Sequence, residues 1–367
     1  MVIPKTTRAM VLTEHGCALE ERELPLPAPA DGAVIVKITR STLCGTDVEI
    51  WRGVMSFPEM LPMVLGHEMA GEIVAAGGHP VDVLGRPLAA GMRIGWSESV
   101  CGHCYGCSVL REPVSCSSRG YGFLQRADRP PFATGGLSEY VYVTPGAAKL
   151  LLPDDVPDEF ASMAGCAGKT VLRAFDRVGG IRPASRVVIQ GAGALGIFAA
   201  AVASLCGARQ VIVVGAPQHR LQTACEFGAT DVVELDGGSD AIVEQVLALT
   251  EGAGADHVFD FAGAASVGRE ALGMAAQRGT FAVVGTTGRG PVELPLGTVM
   301  GKELTVVGSV NGDISDYFRA VEIYRAFRER MPWQRLFSEP VGLREATDSL
   351  RSMAELQTIK AVIDPSR

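Results

Sequence analysis

The stretch VVIQGAGALGIFAAAVASLCGA, residues 187–208, carries the reading of the fold. A short apolar run leads into Gly191, Gly193 and Gly196, spaced G-x-G-x-x-G, and then into small apolar residues over a helical length. Glycines in that order allow a tight turn and a close approach of the backbone, so that a pyrophosphate can rest on the helix N-terminus. Ala194 and Leu195 of the same turn are counted with them as dinucleotide contacts. Glycines in such turns are often merely structural, so the pattern needs its surroundings. VIVV (211–214), DVVEL (231–235), DHVFDF (256–261), TFAVVG (280–285) and LTVVGSV (304–310) are continuous apolar runs, and segments 194–206 and 239–251 have helical length. Such runs fit a parallel sheet covered on both faces, an α/β arrangement.

Working outward, the rhythm changes. The first 150 residues contain short β-rich runs such as GAVIVKIT (32–39) and GEIVAAG (71–77), punctuated by Gly and Pro, which suggests a partly open β-barrel. Beyond about residue 311 come two amphipathic helical stretches and a last strand, KAVID (360–364), placed to return to the first domain. A chain of 367 residues exceeds one ordinary core, and two domains are expected. No apolar run reaches the roughly 20 residues of a membrane helix. The net charge of −8, without a basic stripe, argues against a nucleic-acid surface. The opening MVIPKTTRAMVLTEHG lacks the order of a secretory signal, which makes a cytoplasmic location the default expectation. Nine cysteines in that compartment point to metal binding or burial rather than disulfides.

Four of the nine lie in CGHCYGCSVLREPVSC. Cys101, Cys104, Cys107 and Cys116 are spaced C-x2-C-x2-C-x8-C, and one loop can wrap a tetrahedral ion with such spacings. Four thiolates leave no open position, so the expectation is a structural Zn²⁺ site, with His103 pointing outward. A loop of free thiols would be oxidation-prone.

Two other stretches, STLCGTDVEI (41–50) and LGHEMAGEIV (65–74), place Cys44 near Thr46 and Asp47 and His67 beside Glu68. A lone His in a turn or a lone buried Cys usually has no such role. Together with Cys166 in SMAGCAGKT, however, Cys44 and His67 make up the Cys₂His set of a catalytic zinc.

The order CGTD, GHE, Cys₄ loop, GC-x3-T and GAGALG resembles the zinc-dependent medium-chain alcohol dehydrogenase/reductase family over essentially the whole chain. The resemblance implies a GroES-like β-barrel catalytic domain, residues 1–160 completed by 309–367, a Rossmann NAD(P)-binding domain, residues 161–308, and an active site in the cleft between them. It implies that Cys44, His67 and Cys166 bind the catalytic zinc, with Glu68 as an occasional or alternative ligand, and hence two zinc ions per chain. Asp47 would orient His67, Thr46 would pass the alcohol proton outward, and Thr170 would pack near the nicotinamide. The implied reaction is reversible hydride transfer between an alcohol, secondary or cyclic, and NAD(P)⁺. Relatives are commonly dimers or tetramers, and the apolar strands near 280–310 are candidates for pairing across a two-fold axis.

The departures from the family pattern are informative. Where many members have CGTD-x-H, this chain has Glu49, leaving Glu49 or water to finish the proton relay. The Cys third ligand tilts away from the polyol branch, which commonly uses glutamate. At the end of the second Rossmann strand, in VIVVGAPQHRL, Gly215 stands where an NAD enzyme ordinarily presents Asp or Glu to the ribose. Arg220 follows and could grip a 2′-phosphate as a charge-assisted fork, which favours NADP; the alternative is an arginine that touches only the ribose. Trp51, Ser97, Tyr121, Phe123 and Leu137 fall in segments that line the cleft in similar enzymes, and segment 117–136 is either part of the entrance or a surface excursion. Such a pocket suits an aliphatic, aromatic or cyclic secondary alcohol. An epimerase or isomerase with tightly held nicotinamide, and a non-catalytic nucleotide-binding protein, are the competing functions on this scaffold.

Overall fold

The computed structural model describes residues 4–285 and 293–367. The chain divides into two units, the first comprising residues up to Lys169, Gly312–Ala326 and Phe337–Arg367, the second Thr170–Asn311 and Phe327–Leu336. Residues 161–169, expected in the second domain, thus lie in the first, and 327–336 lie in the second. The latter have a clear anchor: the Trp333 ring packs 5.9 Å from Phe198 and 5.8 Å from Phe227, and Arg335 pairs with Glu226 at 3.0 Å.

The first unit is built from antiparallel strands. Glu20–Pro25, Thr6–Leu12 and Met63–Val64 form a small sheet. A larger sheet runs in the order Val362–Ile363, Val34–Thr42, Glu68–Ala76, Arg93–Ser99 and Ala147–Leu151, with Tyr140–Val143 also pairing with Val34–Thr42. The tail strand Val362–Ile363 lies against Thr42 and Ser41. Apolar residues on alternate positions of these strands enter two cores; Ile35 and Val64 belong to one, Val34, Val36, Ile38 and Ile73 to the other, all at 2% exposure or less. Burying one such side chain contributes roughly 1.5–3 kcal/mol relative to leaving it in water.

Register in the central pair sets the position of the chemistry. Thr42 pairs with Glu68, so the strand that ends just before Cys44 and the strand that begins just after His67 meet at one end of the sheet. Helix Asp158–Met163 packs at the same end and opens into a π-helical turn, Ala164–Gly168, which carries Cys166. Single π turns inside helices recur at functional sites because the widened turn redirects a side chain.

The second unit holds a six-stranded parallel sheet in the order Asp231–Glu234, Gln210–Gly215, Arg186–Gln190, Ala255–Asp260, Ala275–Val283, Thr305–Gly308. Helices Ala194–Leu205, Gln218–Glu226, Gly238–Leu249 and Val267–Met274 connect its strands. The strand order is that of the dinucleotide-binding fold, with the reversal beside Arg186–Gln190. All the apolar runs singled out in the sequence are strands here. No helix among the described residues is long and apolar enough to cross a membrane.

Candidate active site

Cys44, His67, Glu68 and Cys166 present ligand atoms within 4.8 Å of one another, although they come from three separated stretches of chain. Two polar side chains bring them together. The fully buried Asp47 accepts the backbone N–H of Cys44 at 2.9 Å through Oδ2 and that of Gly66 at 3.0 Å through Oδ1, and Oδ1 also lies 3.2 Å from His67 Nδ1. One carboxylate therefore fixes the two loops and the imidazole orientation, leaving Nε2 for a metal. The second is Ser162: its hydroxyl accepts the N–H of Thr42 at 3.0 Å and donates to the carbonyl of Glu68 at 2.7 Å. Ser162 sits one helical turn before Cys166, so these bonds clamp the π-helical turn onto the ends of both strands.

The electrostatics suit a cation. A hydrogen bond from Cys166 holds the Cys44 thiol well below its ordinary value against the effect of burial, with Lys360 and His67 adding to the effect. The same bond, with burial, pushes Cys166 up. Burial alone would depress the His67 imidazole, but Asp47 and the Cys44 sulfur raise it well above its ordinary value. Two soft thiols and an imidazole, converging in a buried site, are the donor set of tetrahedral zinc with an open fourth position. Binding would displace the Cys166 proton and any proton on His67 Nε2.

Glu68 is fully buried and faces Lys360, whose Nζ lies 2.9 Å from each carboxylate oxygen; Thr42 Oγ1 also donates to it. Burial pushes the Glu68 carboxyl up to about 7. Burial would likewise lower the Lys360 ammonium, yet the Glu68 and Cys44 charges raise it above its ordinary value. Two equal contacts to the ammonium are the geometry of an ion pair, and Glu68 must surrender part of it to reach a metal. Sequence reasoning missed Lys360, Thr42 and Ser162, because only the strand register brings them to Glu68.

Cys101, Cys104, Cys107 and Cys116 also place their sulfurs within 4.8 Å of one another. Cys116 Sγ and Cys101 Sγ are 3.6 Å apart. Tetrahedral thiolates at the usual Zn–S length of about 2.3 Å lie about 3.8 Å from each other, so the loop fits zinc. Backbone N–H groups of Cys107 and Ser117 lower the Cys104 thiol to about 5, while burial raises Cys107 to about 12. His103 is exposed, with Nδ1 2.7 Å from the Cys101 carbonyl.

Thr46 and Glu49 lie in the helix Gly45–Trp51, both half-buried. Of the residues expected to line the substrate pocket, Ser97, Tyr121 and Phe123 do line a cavity with His67, the Phe123 ring centroid 4.5 Å from that of the imidazole. Trp51 and Leu137 do not. Trp51 is a core residue whose indole N–H donates to the Cys17 carbonyl at 2.7 Å, and Leu137 is fully buried. Segment 117–136 is cavity wall through Tyr121, Phe123, Gln125 and Thr134.

In the second unit, the glycine turn has the required shape. Gly191 has φ +115°, a Cβ at Gly196 would lie 1.8 Å from the Gly191 carbonyl oxygen, and a Cβ at Gly193 would meet nothing within 4 Å. The first glycine makes the turn, the third lets the helix Ala194–Leu205 pack against it, and the second faces open space where a pyrophosphate fits. Ala194 and Leu195 form the first turn of that helix. Gly215 ends its strand, and a Cβ there would lie 2.7 Å from Ala192 Cβ and 2.8 Å from Ala192 N. The missing carboxylate therefore has a packing cause, since any side chain would push on the glycine turn. Arg220 is 7% exposed, and burial lowers its pKa. Thr170 is buried at the start of the second unit.

Two family models match the chain, the alcohol dehydrogenase GroES-like domain over residues 30–154 and the zinc-binding dehydrogenase over 194–326. Among curated proteins, the chain is 29% identical to 5-exo-hydroxycamphor dehydrogenase of Pseudomonas putida, covering 97% of this chain and 98% of that one. It is also 29% identical to L-threonine 3-dehydrogenase of Sinorhizobium medicae, with the same coverage. Among solved structures it resembles an alcohol dehydrogenase of Thermotoga maritima, with 28% identity and a TM-score of 0.90 over 98% of this chain and 99% of that one. It also resembles a protein described as a zinc-binding dehydrogenase of Sinorhizobium meliloti, bound to NADP, with 26% identity and a TM-score of 0.84 over 99% of this chain and 100% of that one. With the Cys₂His cluster, the Cys₄ loop and the glycine turn all in place, the chain belongs to the zinc-dependent medium-chain alcohol dehydrogenase/reductase family and is an alcohol oxidoreductase using a nicotinamide cofactor.

Proposed function

We propose that Cys44, His67 and Cys166 hold a catalytic zinc and Cys101, Cys104, Cys107 and Cys116 a structural one, in an enzyme that oxidises a secondary or cyclic alcohol with NADP in preference to NAD. The observation that carries this reading is the Asp47 carboxylate, bonded at once to the Cys44 and Gly66 backbones and to His67, which draws Cys44 and His67 together in the cluster that Cys166 and Glu68 complete. When bound, zinc supplies the Lewis acidity that acidifies an alcohol, and the nicotinamide accepts the hydride. The chain's own residues do the rest. Asp47 keeps the His67 ring oriented, Thr46 takes the alcohol proton, and Glu49, on the same helix, or water, passes it outward. Glu68, paired with Lys360, is an alternative ligand. Gly191, Gly193, Ala194, Leu195 and Gly196 seat the pyrophosphate, Thr170 packs near the nicotinamide, and Arg220 meets the 2′-phosphate. NADP in a similar solved structure supports this preference, as does the lack of a carboxylate at Gly215, a position that Ala192 also crowds.

An oligomer, dimer or tetramer, belongs to the same proposal. Thr305–Gly308 is an edge strand, and Leu296, Met300 and Val310 near it are 72%, 78% and 60% exposed. Light scattering at the monomer mass of 38.6 kDa would contradict it.

The deciding experiment is an elemental zinc count joined to a panel of alcohols read at 340 nm under both cofactors. Two ions per chain and turnover with NADP above NAD are expected. One ion per fully active chain overturns the metal assignment. Bound nucleotide without net absorbance change points to an epimerase. Arg220→Ala should weaken NADP by about 1.5–3 kcal/mol more than NAD; equal loss for both makes Arg220 a ribose or packing residue.

A further inference from the structure

The cavity beside His67 has an ionic wall that the reaction as described does not use. Lys169, only 1% exposed, places Nζ 2.9 Å from Glu98 Oε1, 2.7 Å from Oε2 and 3.1 Å from Ser97 Oγ. Ser97 Oγ in turn donates to Glu98 Oε2 at 2.7 Å. All three residues line the cavity that His67 and Phe123 also line. The ammonium is turned inward with its donors spent on Ser97 and Glu98, while the Glu98 side chain keeps 17% of its surface exposed. This wall therefore brings the Glu98 side chain, its carboxylate held in place by a buried cation, to the cavity lining.

Such a wall is costly for an enzyme of purely apolar alcohols. Desolvating an ion pair generally offsets its attraction, so apolar residues of similar volume would serve a hydrocarbon pocket as well or better. In ligand sites, a few fixed polar groups in an otherwise apolar lining set orientation and selectivity. Here Trp96, Phe123 and Val143 are apolar or aromatic, Ser99, Gln125, Thr134 and Thr144 are neutral and polar, and the carboxylate and ammonium of the lining are those of Glu98 and Lys169.

We infer that Glu98, held by Lys169 and Ser97, recognises a second hydrogen-bond donor on the substrate, so that the preferred substrate is an alcohol bearing a further hydroxyl or amino group near its carbinol carbon. The shared chemistry is donation to the Glu98 carboxylate. Lys169 neutralises most of that carboxylate's charge, so a neutral hydroxyl is accepted as readily as an ammonium. The inference rests on the alcohol-oxidising reading proposed above and deepens it by naming the substrate class.

The test compares 2-butanol, 2,3-butanediol and 3-amino-2-butanol with the zinc-loaded protein, by kcat/KM and, independently of turnover, by quenching of intrinsic tryptophan fluorescence, since Trp96 lines the cavity. The donor-bearing compounds should exceed 2-butanol at least tenfold in kcat/KM, because a site built to bond a substrate donor rejects the analogue that lacks it. The diol against the amino alcohol separates the two sources of the donor. Glu98→Gln, which keeps the size of the side chain, should cut that ratio at least fivefold, and Ser97→Ala should cut it less. Equal or better use of 2-butanol by the unmodified protein overturns the inference and leaves the dehydrogenase reading standing. Fluorescence that discriminates the compounds with no turnover on any alcohol under either cofactor overturns the dehydrogenase reading instead. If Glu98→Gln lowers Tm and zinc content while the substrate ratio stays the same, the ion pair is a brace for the Cys166 turn and the inference is wrong.

Discussion

Sixteen consecutive residues, 101–116, carry all four sulfurs of one candidate metal site, whereas the other draws on Cys44, His67, Glu68 and Cys166. In the loop, neighbouring backbone N–H groups tune the thiols, as at Cys104, and the cysteines are mostly half-exposed. In the second cluster the tuning comes from buried side chains, Asp47, Lys360 and the two cysteines themselves. A centre built from local chain can form wherever its loop forms. A centre built from distant segments exists only when Thr42 is in register with Glu68 and Ser162 has closed on both. With zinc held as proposed by Cys44, His67 and Cys166, the second arrangement would leave a coordination position open for chemistry, and the first would not.

That contrast can be broken most forcefully at His67. His67→Ala should remove alcohol oxidation almost completely, by a thousandfold or more, while nucleotide binding persists, because the glycine turn is a separate backbone feature in the other unit; normal turnover would show that the ligand is misassigned. Chelation should sharpen the same contrast. A chelator titrated into the holoenzyme should take the zinc of the open centre first, so that activity disappears while the far-ultraviolet circular dichroism is still native. Simultaneous loss of both ions and of the fold would make the two centres equivalent.

Lys360→Met tests how far the distant-segment centre depends on buried charge. It leaves Glu68 without its ammonium, and removing one member of a buried pair costs about 3–5 kcal/mol. Pairing it with Glu68→Gln should recover much of the lost Tm, and a double variant no more stable than the single one would show that Lys360 acts by packing. Asp47→Asn should be gentler. The side chain still fills its place but loses its charge, and zinc affinity at the open centre should fall about 10–100-fold with the loop centre unchanged. Equal loss at both centres would show a general folding defect.

The smallest effect concerns Lys149, 4% exposed, with Nζ bonded to the carbonyls of Thr144, Pro145 and Ala147. Burial lowers its pKa to about 8, from an unfolded value near 10.5. Between those values the unfolded chain binds more protons, so this residue makes stability rise with pH from about 8 to 10.5. Lys149→Met should flatten that rise in Tm measured across the window, and an unchanged slope would place its origin elsewhere.

How much of this was legible in the sequence follows the same division. The glycine turn, the strands of the parallel sheet and the Cys₄ loop are runs of adjacent residues whose spacing is itself the signal. Cys44, His67 and Cys166 were legible only because each sits in a short recognisable motif. Nothing near Lys360 or Ser162 hints at Glu68, since pairing across a sheet depends on register. Lys169 and Glu98 were missed for the same reason: each looks like an ordinary surface charge until the strand Arg93–Ser99 and the π-helical turn meet. Trp51 and Leu137 were placed in the pocket by analogy, and the core claimed both. Gly215 was read for its lack of charge, and nothing in the sequence shows that Ala192 also crowds this position, so that a side chain there would require a shift.

The Glu68–Lys360 pair also sets a timetable for biogenesis. Its partners are separated by 292 residues of chain, and the whole second unit is encoded between them. At about 5–20 residues per second, Glu68 emerges from the ribosome on the order of 15–60 s before Lys360. For that interval the nascent first unit holds a carboxylate without its ammonium to bury against, so the candidate active site is among the last parts of the protein to mature, although Cys44, His67, Glu68 and Cys166 all lie in the first half of the message.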